Sequence, residues 1–220
     1  DMQMRNDILT GNVKPIKNVD EDKKRTAMYR DNLKRAAEVS QFSDYSDYLK
    51  SLQMKGYFSS INEGNIQRVT QLINKTNQFN LTTRRYSIEE VETFVADDNT
   101  FSICGRLEDK YGDNGIVSIL MASIDGTKAN IDLWLMSCRV FKRELEFAMF
   151  DRLCEIAKAK GILTLEGRYI RTAKNGLVAD FYETLLFEKL EGDEDSSIWR
   201  YDLIKKSGNM TEAMEVIIDE

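Results

Sequence analysis

Histidine is absent from the 220-residue chain. That excludes Ser-His and Cys-His nucleophile pairs and histidine metal centres, and leaves Asp, Glu, Tyr, Lys, Cys or an activated water as the only general bases. Cysteine is scarce and odd in number: Cys104, Cys138 and Cys154 are widely spaced, with no C-x-x-C. This argues against a disulfide framework or a zinc site and for reduced thiols in a cytoplasmic protein. Proline occurs once, at Pro15. No apolar run approaches a membrane span and no signal-peptide pattern opens the sequence. A formal charge of −6 speaks against general nucleic-acid binding. The first residue is Asp1 rather than methionine, so an excised part of a longer protein is expected.

What is present is a 42% apolar share, enough for a real core. Residues 1–19 show no periodicity and read as a linker or the tail of an upstream domain. Asp20 to Val39 carries a narrow apolar stripe (Ala27, Met28, Leu33, Ala36, Ala37) and predicts a surface helix. A short helix is expected from Ser43 or Asp44 to Leu52. Strands and helices then alternate. Lys55–Ile61 reads as a strand. Gly64–Lys75 reads as a helix, and Ser87 with Glu90 forms a capping box for the next one. Phe101–Leu107, Ile116–Ser123 and Ala129–Leu135 predict a meander, with turns at Asn114-Gly115 and Asp125-Gly126. A long helix from Arg143 to Lys160 is followed by the strand Ile162–Tyr169, the helix Val178–Thr184 and the strands Phe187–Leu190 and Ile198–Ile204. Pattern alone implies an α+β fold with a mixed sheet. The expected division is 1–52 as linker and helical extension, 53–204 as the main domain and 205–220 as an unassigned tail.

One polar run stands out, from Asn74 to Arg85. Asn77, Gln78, Asn80, Thr82, Thr83, Arg84 and Arg85 supply many hydrogen-bonding groups with only two apolar residues beside them. It reads either as a solvated loop or as a binding loop. This string resembles the signature of the FkbH-like proteins. So do Leu135-Met136-Ser137-Cys138-Arg139-Val140, Thr172-Ala173-Lys174-Asn175 and Val178-Ala179-Asp180-Phe181-Tyr182-Glu183, in the expected order over roughly residues 20 to 204. Those proteins join a haloacid-dehalogenase-type (HAD) domain to a domain similar to the GNAT acyltransferases. The resemblance implies a GNAT-like fold with a mostly antiparallel twisted sheet flanked by helices. It also implies a missing upstream HAD domain and a role in transferring a glyceryl-type acyl unit to the pantetheine thiol of an acyl-carrier protein, in secondary-metabolite biosynthesis.

The resemblance further implies site residues. The GNAT loop Arg/Gln-x-x-Gly-x-Gly/Ala, whose amides hold the coenzyme A diphosphate, corresponds to Arg139, Val140, Phe141, Lys142, Arg143 and Glu144. Both glycine positions are filled, by Lys142 and Glu144. Side chains there are expected to restrict positive φ and hinder close backbone approach. One added carboxylate near a diphosphate costs about 3 kcal/mol at 5 Å and an effective dielectric near 20. Cys138 is either a nucleophile or a small residue closing a strand. Tyr182 is either the phenol that protonates a departing thiolate or a packed ring. Leu186 replaces another usual glycine. Lys174, Asn175 and the polar run would line the substrate site. Coenzyme A or carrier phosphopantetheine is the implied cofactor, with no metal. Arg84, Arg85, Arg139, Lys142, Arg143, Arg168, Arg171 and Lys174 would form a basic surface for an acidic carrier. The alternative is a non-catalytic GNAT-like module that only recruits the carrier. Ser123-Ile124-Asp125-Gly126-Thr127 superficially resembles a HAD phosphatase motif, but an Asp-Gly hairpin explains it fully. No D-x-D-x-T occurs, so the phosphatase half is absent from this chain.

Overall fold

A computed structural model describes residues 19–206 and 208–219. The linker expected over residues 1–19, with Pro15, lies almost wholly outside the described residues. The chain divides between Gln41 and Phe42, not between residues 52 and 53. The first unit contributes helix α1 (Val19–Val39), in which Leu33 of the expected apolar stripe is exposed.

The second unit carries every other described element. Helix α2 (Tyr45–Ser51) is capped by Asp44, whose carboxylate accepts from the Ser46 amide at 2.7 Å. It belongs with the sheet because Tyr48, Leu49 and Leu52 sit in the main core. Strand β1 (Met54–Ser59) is followed by α3 (Ile66–Lys75) and α4 (Ile88–Val95). The capping box at the start of α4 is formed, with Ser87 and Glu90 each satisfying the other's amide. Then come β2 (Thr100–Asp109), β3 (Gly112–Asp125), β4 (Lys128–Met136), α5 (Leu145–Ala159), β5 (Thr164–Ile170), α6 (Phe181–Thr184), β6 (Glu188–Gly192), β7 (Ser196–Asp202) and β8 (Met214–Ile218).

The eight strands form one sheet in the order β6-β7-β5-β4-β3-β2-β1-β8. All pairings are antiparallel except β4 with β5 and β1 with β8. Strand β8 lies in the tail that carried no assignment. It pairs with β1 in register Met54↔Met214 to Phe58↔Ile218. The tail is thus part of the sheet.

Both faces are covered. On one side α2, α5 and α6 pack Leu49, Phe150, Leu153 and Phe181 over alternate strand residues such as Leu120 and Trp134. On the other, α3 and α4 bring Val69, Leu72, Ile73 and Val91 onto Ile119, Met121, Leu133 and Leu135. This explains why the centre of β3 and the end of β4 read as continuous apolar runs, since a strand buried on both faces loses its polar alternation.

Two turn assignments resolve differently. Asp125↔Lys128 closes the β3–β4 hairpin through Gly126, whose φ is +61°, so the HAD-like pentapeptide is a turn. The β2–β3 turn falls at Lys110–Tyr111, between Asp109 and Gly112, while Asn114-Gly115 sits in an irregular part of β3 where the register shifts.

Candidate functional site

The site region starts from a fault in the sheet. Strands β4 and β5 pair only from Lys128↔Thr164 to Ile131↔Gly167. There β4 bulges: Ala122 faces Ile131 but Met121 faces Leu133, so Asp132 is the extra, unpaired residue. Beyond the bulge the two strands separate, and the gap is filled by the polar run. Leu81 N–H donates to the Trp134 carbonyl (3.1 Å), Met136 N–H to Phe79 (3.0 Å) and Ile170 N–H to Leu81 (2.8 Å). Asn80 forms an antiparallel bridge with Leu135. Phe79–Leu81 is therefore a short strand wedged into the fork, satisfying backbone groups that an open fork leaves bare.

Phe79 and Leu81 are nearly wholly buried. Phe79 packs edge-on against Phe141 (5.2 Å between centroids) and Phe181 (4.8 Å), and Phe181 against Trp134 (4.9 Å). Asn175, fully buried, locks the wedge. Its amide donates to the carbonyls of Asn80 (2.9 Å) and Ile170 (2.8 Å), while its oxygen accepts from Thr172 N–H and the Tyr169 hydroxyl. Asn80, also fully buried, accepts from Thr83 N–H (2.8 Å). Thr83, at φ +52°, turns the chain out of the fork. Arg85 binds back onto the end of α3 through the carbonyls of Ile73 and Thr76 and the Asn77 side chain. Asn80, Thr83, Arg85 and Asn175, expected to line a substrate site, instead hold the wedge in place.

Tyr182 is a core residue rather than an accessible proton donor. It is 1% exposed, its hydroxyl makes no regular hydrogen bond among the described residues, and burial pushes it well above the usual tyrosine range, with only the Arg168 backbone opposing. Its ring lies so close to β5 that a Cβ on Gly167 would overlap it.

The loop before α5 also departs from expectation. Lys142 (φ +65°) and Glu144 (φ +64°) both adopt the left-handed conformation, as does Leu186 (φ +64°). The backbone keeps a glycine-type path at all three positions although side chains occupy them, so the expected restriction of positive φ does not operate. Glu146, at the start of α5, is buried: one carboxyl oxygen has no hydrogen-bond partner among the described residues, and burial raises the group to about 7, with the backbone of Glu146 and Lys142 opposing the rise. Glu144 accepts from the amides of Glu212 (3.1 Å) and Ala213 (2.7 Å), and Asp151 from Met210 and Thr211. Arg143, expected to face a cofactor, points inward to Asp109 (3.1 Å) and the Arg139 carbonyl (3.0 Å). Val140 is fully buried. Lys142 is exposed, with its carbonyl bonded to the Tyr45 hydroxyl (2.9 Å). Arg139 donates to the Ser137 hydroxyl (3.2 Å).

The remaining expected residues separate into two clefts. One, of about 520 Å³, gathers Asn77, Gln78, Cys138 and Lys174 with Lys75 and Thr76. Three of the four stretches named for the resemblance contribute to it, and Cys138 is exposed, whereas Cys104 and Cys154 are buried with thiols pushed up to about 12. The second, of about 460 Å³, lies at the fork on the face of Glu166 and Arg168 and takes in Thr82, Arg84, Asn130 and Asp132. Arg171 lines a third cavity, beside Asp180 and Glu183. The expected basic surface is thus divided, with Arg143 and Arg85 committed elsewhere.

Sequence reasoning missed Lys75, Asp132 and Glu166. Asp132 was findable, because a lone acid inside Ile131-Asp132-Leu133-Trp134-Leu135 breaks an otherwise apolar strand. Among the described residues no cluster of His, Cys, Asp or Glu fit to hold a metal occurs, and no helix is long and apolar enough to cross a membrane.

No protein-family model matches the chain, and no curated protein matches it significantly. Solved structures do. The ribosomal-protein-S18-alanine N-acetyltransferase from Escherichia coli superposes with a TM-score of 0.53 at 13% identity, covering 71% of this chain and 99% of that one. A GNAT-family acetyltransferase from Staphylococcus aureus gives 0.52 at 11% identity over 67% and 99%. The spermidine N-acetyltransferase from Vibrio cholerae, solved with CoA and spermine, gives 0.50 at 11% identity over 70% and 97%. At these identities the likeness is one of architecture: the chain carries the GNAT acetyltransferase fold.

Proposed function

We propose that this is the GNAT-like domain of an FkbH-like protein, and that it recruits an acyl-carrier protein for glyceryl loading instead of binding free acyl-coenzyme A. The observation that carries this reading is the wedge. Phe79–Leu81 takes up the backbone hydrogen bonds of both fork strands, and a pantetheine arm cannot use them while it is there. The Glu144 side chain, at the N-terminus of α5 and bonded to the amides of Glu212 and Ala213, supports the same reading, because an anion there opposes a diphosphate. An upstream HAD domain would perform the phosphate chemistry, and a cytoplasmic setting suits the buried free thiols.

A second reading is favoured by one feature, the exposed Cys138 in a cleft shared by three of the four stretches that carry the resemblance. There its thiolate would attack the carbonyl of an incoming acyl thioester. The carrier's pantetheine thiolate would leave and take up a proton, and the acyl group would rest on Cys138 Sγ.

The test is surface binding of a carrier protein, with and without its phosphopantetheine arm, at several ionic strengths. Binding that weakens with salt and falls on Lys75→Glu/Lys174→Glu is expected. Salt-independent binding, or binding untouched by the double variant, overturns the recruitment model. Intact-mass detection of an acyl adduct lost in Cys138→Ala would select the second reading.

A further inference from the structure

The cleft on the Glu166 and Arg168 side of the fork is separate from the cleft at Cys138, and recruitment of a carrier gives it no task. Three of its properties point to a ligand. First, it holds two guanidiniums that form no ion pair among the described residues, Arg84 and Arg168, with the Arg84 charge acting on the Asp132 carboxyl. Arg84 rests on the Tyr86 ring at 4.6 Å, and Arg168 stands on β5. Its acids do not cancel this charge equally. Glu166 is neutralised from behind by Lys128 and Arg200, both at 3.5 Å. Second, Asp132 stands on the bulge beside the Ser123 hydroxyl and amide, with one carboxyl oxygen buried and without a hydrogen-bond donor among the described residues. Such an oxygen costs folding energy unless something donates to it. Third, the surroundings are built rather than incidental. Thr82 is tied to the Asp132 carbonyl at 3.1 Å, which anchors the loop carrying Arg84 to the bulge, and Ile131, Ile170 and Ile198 give the cavity an apolar wall.

From these features we infer a binding site for a small hydroxylated organic anion, with Arg84 and Arg168 holding the anionic group and Asp132 accepting from the hydroxyl. A guanidinium pair recognises carboxylate or phosphate by charge-assisted hydrogen bonds. The unpartnered acceptor adds selectivity, because a site built for a donor rejects the analogue that lacks it. A cavity of about 460 Å³ has room for such a molecule with water beside it. The inference is independent of the carrier reading, since it concerns another cleft and other residues.

The probes are malate, its deoxy analogue succinate, and inorganic phosphate, titrated by calorimetry into the whole protein at constant ionic strength. Malate should bind at millimolar affinity or better, and succinate about tenfold more weakly. Arg168→Ala, at an exposed position, should lower malate affinity about tenfold without changing the circular dichroism spectrum. Asp132→Ala should bring malate and succinate level, while Asp132→Asn, which keeps an acceptor oxygen, should preserve part of the preference. No binding of any probe overturns the site. Equal affinity for malate and succinate in the parent protein overturns the role of Asp132 and needs no variant. Binding indifferent to Arg168→Ala overturns the guanidinium assignment. None of these outcomes bears on carrier recruitment.

Discussion

The side-chain amide of Asn175 donates to the backbone carbonyl of Asn80 at 2.9 Å, joining positions 95 residues apart. Both residues are fully buried, and through this bond the loop after β5 holds the wedge in the fork. The wedge depends on a side chain, not on continuous sheet pairing, and so has an identifiable weak point.

Asn175→Ala should therefore destabilise the protein by about 2–4 kcal/mol, because two buried carbonyls lose a donor and Thr172 N–H loses an acceptor. Urea denaturation followed by circular dichroism measures this. A change within experimental error would mean that the wedge is held by Phe79 and Leu81 alone.

The three left-handed residues offer a graded test. Leu186 is 59% exposed, so Leu186→Gly removes backbone strain with little loss of packing. Relief of about 1–2 kcal/mol, set against the extra freedom of glycine in the unfolded chain, leaves a net gain of up to about 1 kcal/mol. Glu144→Gly should not gain, since it also removes the acceptor for Glu212 and Ala213. Melting temperatures of the two variants should move in opposite directions.

Glu146 gives the molecule a pH signature. Burial is the main cause of its elevated value, with the nearby Glu144 adding to it and the hydrogen bonds from its own amide and that of Lys142 opposing it. In the unfolded chain the group titrates near 4.5 and in the folded chain near 7. The folded state thus binds the proton more tightly, so the contribution is fully present below about pH 4.5 and is lost as pH rises through 7. The loss is on the order of 3 kcal/mol. Glu146→Gln should flatten this part of the stability profile and make the protein more stable than the parent at pH 8. A parent profile that rises between pH 5 and 7.5 would contradict the burial argument.

Acetyl-coenzyme A should bind weakly, worse than about 0.1 mM by calorimetry. Lys142→Gly/Glu144→Gly should not restore tight binding, because the wedge still closes the fork. Micromolar binding by the parent would show that the wedge leaves the fork readily.

Most of the fold was legible because its signals are local. The Ser87/Glu90 box, the Asp44 cap, the Asp125-Gly126 turn and the stripe on α3 each follow from residues a few positions apart. What was not legible rests on distant partners. Strand β8 is a short apolar stretch, Met214–Ile218, that becomes a strand only by finding β1. Tyr182 gave no sign that Gly167 would admit its ring against the strand, and Arg143 none that Asp109 would turn it inward. In the site, the sequence blocks do come together, for Asn77, Gln78, Cys138 and Lys174 line one cleft. It could not separate residues that face a cleft from those that build its wall, since Asn80 and Asn175 look as suited to a ligand as Asn77 does.

The parallel pairing of β1 with β8 bears on how the molecule assembles. Met54 and Met214 are aligned across the edge of the sheet, so closing that register brings together parts of the chain about 160 residues apart, with the ordering entropy such a loop entails. The meander β2–β3–β4 needs only neighbours and can form early. The β8 edge is then the natural last step, a slow zipping that completes the cover over Gly56 and brings the Glu212 and Ala213 amides onto Glu144. Refolding should show a fast phase that recovers most of the sheet and a slower one that protects the β1 amides from hydrogen exchange.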